Sequence, residues 1–284
     1  MIKKYFISSL ALLAMSFSVS CDNTTEDPPN QNQNNSGSTA TITGPRILSK
    51  ITSGNVDQEE YITNAGILSQ AFLRDAGSTN TITATVTYSG NKISTIKYLD
   101  NVNPHVINNV YTLSYTAGKL SEISMDQAVL STTNHSDFTV YYDANGQLYR
   151  IVEKKKMGGS TSYTHYVENK FTLAAGNVTK LDYTAMLMNA GNPDPSTSTT
   201  MSYAYDNYDN KINPYTTLPK EYFMVTGTLF PINFNALSSN NTGKITLLSP
   251  GAPQTSVPKS YLYDSQNYPI SDPGQIVKYV YKPL

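Results

Sequence analysis

Tyr142-Asp143-Ala144-Asn145-Gly146-Gln147-Leu148-Tyr149-Arg150-Ile151 is the stretch that decides the fold. It holds the end of one strand, a tight turn and the start of a second strand. Asn145 and Gly146 are residue types that tolerate positive φ, which a short hairpin turn requires. Before the turn, Val140 and Tyr142 point one way and Thr139 the other, the period-two alternation of a half-buried antiparallel strand. After it comes an aliphatic–x–x–aliphatic step, Leu148 to Ile151.

The same unit recurs along the chain. The turn and second strand reappear as Asn91-Lys92-Ile93…Ile96, Gly118-Lys119-Leu120…Ile123 and Gly176-Asn177-Val178…Leu181. Looser copies are Asn210-Lys211-Ile212…Tyr215, Gly243-Lys244-Ile245…Leu248 and Tyr268-Pro269-Ile270. The first aliphatic falls at 93, 120, 148, 178, 212, 245 and 270, about 30 residues apart on average, and such a period marks a repeat architecture. The strands before the turns alternate: Val86 and Tyr88, Tyr111, Leu113 and Tyr115, Tyr203 and Tyr205, and Tyr261 and Tyr263 share a face. Thr85, Thr87, Thr112, Ser114 and Ser202 take the other.

The expected fold is all-β: about seven antiparallel hairpins, giving about fourteen strands. Open sheets seldom exceed ~10 strands without curling or splitting, so the sheet is expected to wrap and cover its Tyr and aliphatic face. Residues 54–80 read differently. Asn64-Ala65-Gly66 precedes Ile67, Leu68, Phe72 and Leu73 at helical spacing, closed by Gly77, which predicts a short amphipathic helix near 64–76.

Residues 1–20 form an export signal: Lys3 and Lys4, an apolar run from Tyr5 to Val19, then Ser20. Ser18-Val19-Ser20-Cys21 resembles the bacterial lipobox, with Ser18 where Leu is usual. The resemblance implies that Cys21, the only cysteine, is lipidated and becomes the mature N-terminus. Residues 21–45 are rich in Asn, Gln, Pro and Ser, with Ile42 the one large apolar residue, and read as a disordered tether. Asp22, Glu26 and Asp27 are similar to the acidic surface-export signal of some Bacteroidetes lipoproteins. Residues 46–284 are the repeat domain.

Composition narrows the function. Removal of residues 1–20 leaves 18 basic against 21 acidic groups, which is no nucleic-acid footprint. Lys154-Lys155-Lys156, before Gly158-Gly159, reads as a solvated loop tip. Charged residues make up 14% of the chain, below the roughly 25% of ordinary domains, and Tyr, Thr, Ser and Asn replace them.

The Tyr142–Ile151 stretch resembles a YD repeat, the hairpin unit of RHS and teneurin shells, and Tyr205-Asp206 and Tyr263-Asp264 echo it. Over residues 46–284 the pattern is similar to a family of uncharacterised Bacteroidetes lipoproteins with YD-like hairpins. That resemblance implies an all-β domain at the cell envelope, without a known activity.

Candidate sites are few. His105, His135 and His165 stand 30 residues apart, yet equivalent points in successive hairpins lie about 9–10 Å apart, whereas each zinc ligand needs ~2.0–2.1 Å. They read as three solvated loop histidines, and no metal or cofactor is expected. Asp206, Asp209 and Asn210 lack the spacing and closing Glu of a calcium loop and read as Asx turns. No Gly-x-Ser-x-Gly elbow is present, so no catalytic residue is assigned. The repeated Tyr positions share a face with Val, Leu and Ile and are expected in the core. The reading is an outer-membrane lipoprotein, periplasmic or surface-facing, with a non-enzymatic binding or structural role. A glycan-binding or glycan-processing accessory protein is the alternative. The ligand is unknown, with contacts expected in hairpin loops around the three histidines or on the outer Thr/Ser face.

Overall fold

The computed structural model describes residue 42, residues 44–74 and residues 80–284. The signal segment, Cys21 and nearly all of the tether lie outside the described residues. The domain is one antiparallel sheet. Its first strands are β1 (Arg46–Ser53), β2 (Val56–Asn64), β3 (Ile67–Arg74), β4 (Thr81–Ser89), β5 (Lys92–Asp100) and β6 (Asn108–Thr116). Then come β7 (Lys119–Val129), β8 (Thr132–Tyr142), β9 (Leu148–Lys156), β10 (His165–Ala174), β11 (Asn177–Asn189), β12 (Asn192–Pro193) and β13 (Thr199–Asp206). The last are β14 (Lys244–Leu248), β15 (Thr255–Pro258), β16 (Leu262–Tyr263), β17 (Pro269–Ser271) and β18 (Val277–Pro283).

Strands β1 to β11 form a meander in which each pairs with the next. It continues through β13 and β14 to β15. On its other side β1 pairs with β18, which pairs with β17, and β17 with β16. No ladder joins β15 to β16, so the sheet stays open at one seam. Yet β15 ends at Pro258 and β16 begins at Leu262, so the chain itself crosses that seam through Lys259, Ser260 and Tyr261.

The long β13–β14 connection carries helix α1 (Lys220–Leu229) and a 3-10 helix over Pro231–Leu237. Tyr222 of α1 packs on Tyr61 of β2 and Tyr98 of β5, with ring centroids 6.2 and 6.3 Å apart. Phe234 packs edge-on against Phe171 of β10 at 4.8 Å. In a flat sheet β2 and β10 would stand roughly 38 Å apart, whereas a helix of α1's length spans about 15 Å. The sheet therefore curves around the helical segment and buries its Tyr and aliphatic face against it, as the alternation predicts.

The aliphatic–x–x–aliphatic step has a structural cause. In four hairpins the ladder slips by one residue at the same place: after Thr87↔Thr95 comes Tyr88↔Ile93, after Ser114↔Glu122 comes Tyr115↔Leu120, after Tyr141↔Arg150 comes Tyr142↔Leu148, and after Thr172↔Lys180 comes Leu173↔Val178. One extra residue is a β-bulge, and it returns both aliphatics to the same face. Where that residue is Ser or Thr, its hydroxyl reaches back across the ladder. Ser121 donates to the carbonyl of Ser114 and Thr179 to that of Thr172, each at 3.2 Å.

This device explains why the predicted helix near 64–76 does not form. Ala65 and Gly66 have φ of 46° and 77° and make the β2–β3 turn. Ile62 pairs with Gln70 but Thr63 with Leu68, leaving Ser69 as the bulge, its hydroxyl donating to the Ile62 carbonyl at 3.1 Å. Leu68 and Ala71 are then both buried. Their spacing of three belongs to a bulged hairpin, one more copy of the repeat with Gly66 two residues before Leu68. The loose copy at Ile212 departs the other way: it lies outside any strand and leads into the helical segment.

The Tyr-Asp pair also has a definite role. The Asp143 carboxylate accepts from the backbone N–H groups of Asn145 and Gln147 at 2.9 and 2.8 Å. Asp264 does the same for Gln266 and Tyr268 at 2.9 and 3.0 Å. Asp264 also receives the buried guanidinium of Arg46 at 2.5 Å, which ties the first strand to the last hairpins.

Candidate functional site

Paired residues of a ladder share a face, so the register sorts every strand residue to the concave or convex side. One convex row runs Thr85, Lys97, Val110, Asp126, His135, Lys156. Such a charged row suits water, since a lysine facing lipid costs about 2–4 kcal/mol at mid-bilayer.

The concave side is largely apolar, with buried polar groups such as Asn109, Asn134 and Ser136 on β6 and β8 and a further group of polar side chains beside the seam. Glu59 of β2 pairs with Ile51 of β1, and Ile51 pairs with Tyr279 of β18, so the three project from one row into the interior. The Tyr61 hydroxyl donates to one carboxylate oxygen of Glu59 at 2.5 Å, and the Tyr215 hydroxyl donates to the other at 3.0 Å. From the seam side come Lys259 and Tyr261, alternate residues of the crossing segment, followed by Tyr263 of β16. The Lys259 backbone N–H donates to the Gly243 carbonyl at 2.8 Å and fixes that segment to the start of β14. The Tyr261 ring lies 6.2 Å from that of Tyr279.

Glu59, Tyr215, Lys259 and Tyr279 are half-buried beside the seam, and each keeps part of its surface in contact with solvent. Burial pushes the Glu59 carboxyl above its ordinary range, against the pull of the two phenols and of Lys259. It pushes the Lys259 ammonium below its ordinary value, against the attraction of Glu59. The two charges act on each other without forming an ion pair. Among the described residues no acceptor is hydrogen-bonded to the Lys259 ammonium.

The histidines are not brought together. His105 is exposed in the β5–β6 loop, but His135 and His165 lie in strands and not in loops, because β8 and β10 extend past the expected hairpin ends. His135, on the convex face, is held between Asp126 at 2.7 Å and Asp137 at 3.2 Å. His165 pairs with Lys155 and turns inward, where burial lowers its pKa. No cluster of metal-ligand type is found among the described residues. Lys154-Lys155-Lys156 forms the end of β9 and not a loop tip, since the ladder to β8 runs through Lys156. Asp209 caps an Asx turn, accepting from the Lys211 N–H at 2.9 Å.

Tyr115 and Tyr142 are tied into the wall: their hydroxyls donate to the carbonyls of Ile93 and Leu120, each at 2.9 Å. Glu59 and Lys259 were hidden from the motif search but not from the alternation. Glu59 stands two residues before Tyr61, and Lys259 two before Tyr261, each a charge on an aromatic face.

Among solved structures, the chain is similar to a porin-like protein from Bacteroides vulgatus, with TM-score 0.48 and 14% identity, over 84% of this chain and 100% of that one. It is also similar to a porin-like protein from Bacteroides uniformis, with TM-score 0.46 and 14% identity, over 83% and 98%. Neither likeness bears on activity. No protein-family model and no curated protein matches the sequence.

Proposed function

We propose that this chain is a lipoprotein of the bacterial outer membrane, anchored through Cys21, with a non-enzymatic role in which its domain binds a small polar ligand beside the seam, near Glu59 and Lys259. The observation that carries the binding role is the Lys259 ammonium, half-buried beside the seam, acted on by Glu59 and without a hydrogen-bonded acceptor among the described residues. A charge-assisted hydrogen bond to an anion is about twice as strong as a neutral one. A ligand anion supplies that bond. The anchor rests on the sequence alone: a lone cysteine directly after an apolar export signal.

A catalytic reading has one observation in its favour, the raised affinity of Glu59 for its proton, which suits a general acid. Glycoside hydrolysis, however, uses a second carboxylate about 5–9.5 Å away. The groups acting on Glu59 are two phenols and an amine. They hold a ligand; they do not complete that pair.

The test has two arms. Cys21→Ala should abolish fatty-acid labelling and release the protein from membranes, and labelling that persists would remove the anchor. Small polar anions should protect Lys259 from an amine-acylating reagent, and a rate equal to that of surface lysines with and without them would remove Lys259 as a binding site.

A further inference from the structure

One hairpin departs from the repeat on its convex side. In the β2–β3, β4–β5, β6–β7 and β10–β11 hairpins the bulge residue is Ser69, Ser94, Ser121 and Thr179, and its hydroxyl bonds back across the ladder. In β8–β9 the bulge residue is Tyr149, which stands out from the sheet and is 37% exposed. Opposite the slip is Tyr141, where three of the other hairpins carry Thr87, Ser114 and Thr172. The rings of Tyr141 and Tyr149 lie 6.3 Å apart at 55°, and the Arg150 guanidinium lies 4.2 Å from the centre of the first and 6.0 Å from that of the second. A bulge re-aims a side chain, and this one aims an aromatic pair at solvent. We infer that the convex patch around Tyr141 and Tyr149 is a binding face for an extended, neutral glycan chain.

Register extends the patch into a strip. Tyr141 pairs with Arg150, Arg150 with Lys170, Lys170 with Asp182 and Asp182 with Ser202, so they share the convex face over four strand spacings, about 19 Å. Arg150 donates to one oxygen of Glu168 at 3.3 Å. Ser202 and Lys180 both engage one oxygen of Asp182, at 2.5 and 2.9 Å. The second oxygen of each carboxylate has no hydrogen-bond partner among the described residues, and sugar hydroxyls donate to such oxygens. The tyrosine rings supply apolar surface for the faces of a pyranose. Of the five charges here, four are neutralised in the Arg150–Glu168 and Lys180–Asp182 pairs, which suits an uncharged ligand. The core of a protein interface is depleted of Lys, Asp and Ser, whereas Lys170, Asp182 and Ser202 surround the rings here. A convex wall cradles nothing, so the chain that fits lies extended across it, as β-1,4-linked hexoses do.

The test titrates the full chain, purified in detergent, with cellohexaose, β-1,4-mannohexaose, maltohexaose and hexagalacturonate in turn. The first two are extended and neutral, the third coils and the fourth is charged. Heat and tyrosine emission are the readouts, because the chain has 22 Tyr and no Trp. At least one extended neutral hexaose should bind at least about tenfold more tightly than maltohexaose or hexagalacturonate. Tyr149→Ser installs the residue that three other hairpins carry at the bulge. It should keep the thermal midpoint of the parent and weaken binding at least about tenfold. Affinity unchanged in Tyr149→Ser, or no binding of any of the four, would overturn the glycan face. Tighter binding of maltohexaose would overturn the extended chain, and tighter binding of hexagalacturonate the neutral one. In intact cells, a photo-crosslinkable phenylalanine in place of Tyr149 that forms a discrete protein adduct would assign the face to a protein instead.

Discussion

The Tyr142 hydroxyl donates to the Leu120 carbonyl at 2.9 Å, reaching from one hairpin to the one before it. Tyr115 makes the same bond to Ile93 at 2.9 Å, and Tyr208 makes it to Val178 at 2.6 Å. The acceptors are the residues that mark the repeat. A lysine from the earlier turn covers two of these rings, Lys92 lying 4.7 Å from the centre of Tyr115 and Lys119 5.2 Å from that of Tyr142. Successive hairpins are therefore latched by side chains as well as by the ladder.

Tyr142→Phe should cost about 0.5–1.5 kcal/mol, the net worth of one hydrogen bond. Tyr88 is the contrast: its hydroxyl is buried and has no partner among the described residues. Tyr88→Phe should be neutral or slightly stabilising. Denaturant melts of the two variants decide the matter, and equal losses would show that the latch contributes nothing.

Gly146 has φ of 76°, and a side chain there would run into the Lys119 ammonium. Gly146→Val should cost on the order of 1–2 kcal/mol or more through backbone strain alone. Thr139 is exposed on the convex face, and Thr139→Val should stay within about 0.5 kcal/mol of the parent. Similar midpoints for both would place the turn or the face wrongly.

Much of this was legible in the sequence, and the misses have physical reasons. The alternation of Tyr and Thr sorted the faces correctly from Val86 to Tyr205. The bulge shows in the sequence only as an aliphatic–x–x–aliphatic step, so Ile67, Leu68, Phe72 and Leu73 have helical spacing although they belong to one more bulged hairpin. The true helix escaped because Tyr222 to Gly227 are all buried. A helix enclosed on every side shows no apolar stripe. Gly227, a poor helix former, is required there, because a side chain would meet the Phe234 ring. Glu59 and Lys259 come from opposite ends of the domain, and only the closing of the chain across the seam brings them together.

His135 gives a pH prediction. Its hydrogen bond to Asp126 is the largest cause raising its pKa, with Asp137 adding to it. The folded value then exceeds the unfolded one, near 6.5. The stability from this contact is fully present below that unfolded value and is lost as pH rises through the folded one. Asp126→Asn should lower the His135 midpoint in an NMR titration and flatten the stability profile in that window. An unmoved midpoint would show that the contact does not persist in solution.

The measurement that bears most directly on the proposed site is the titration of Lys259 itself, followed by NMR on the full chain with isotopically labelled, methylated lysines. Lys259 should titrate below the other lysines, because burial beside the seam disfavours its charge. Glu59→Gln should lower its midpoint further, because the carboxylate is the group that supports its charge. A Lys259 that titrates with the surface lysines, and does not respond to Glu59→Gln, would contradict a half-buried cation acted on by Glu59.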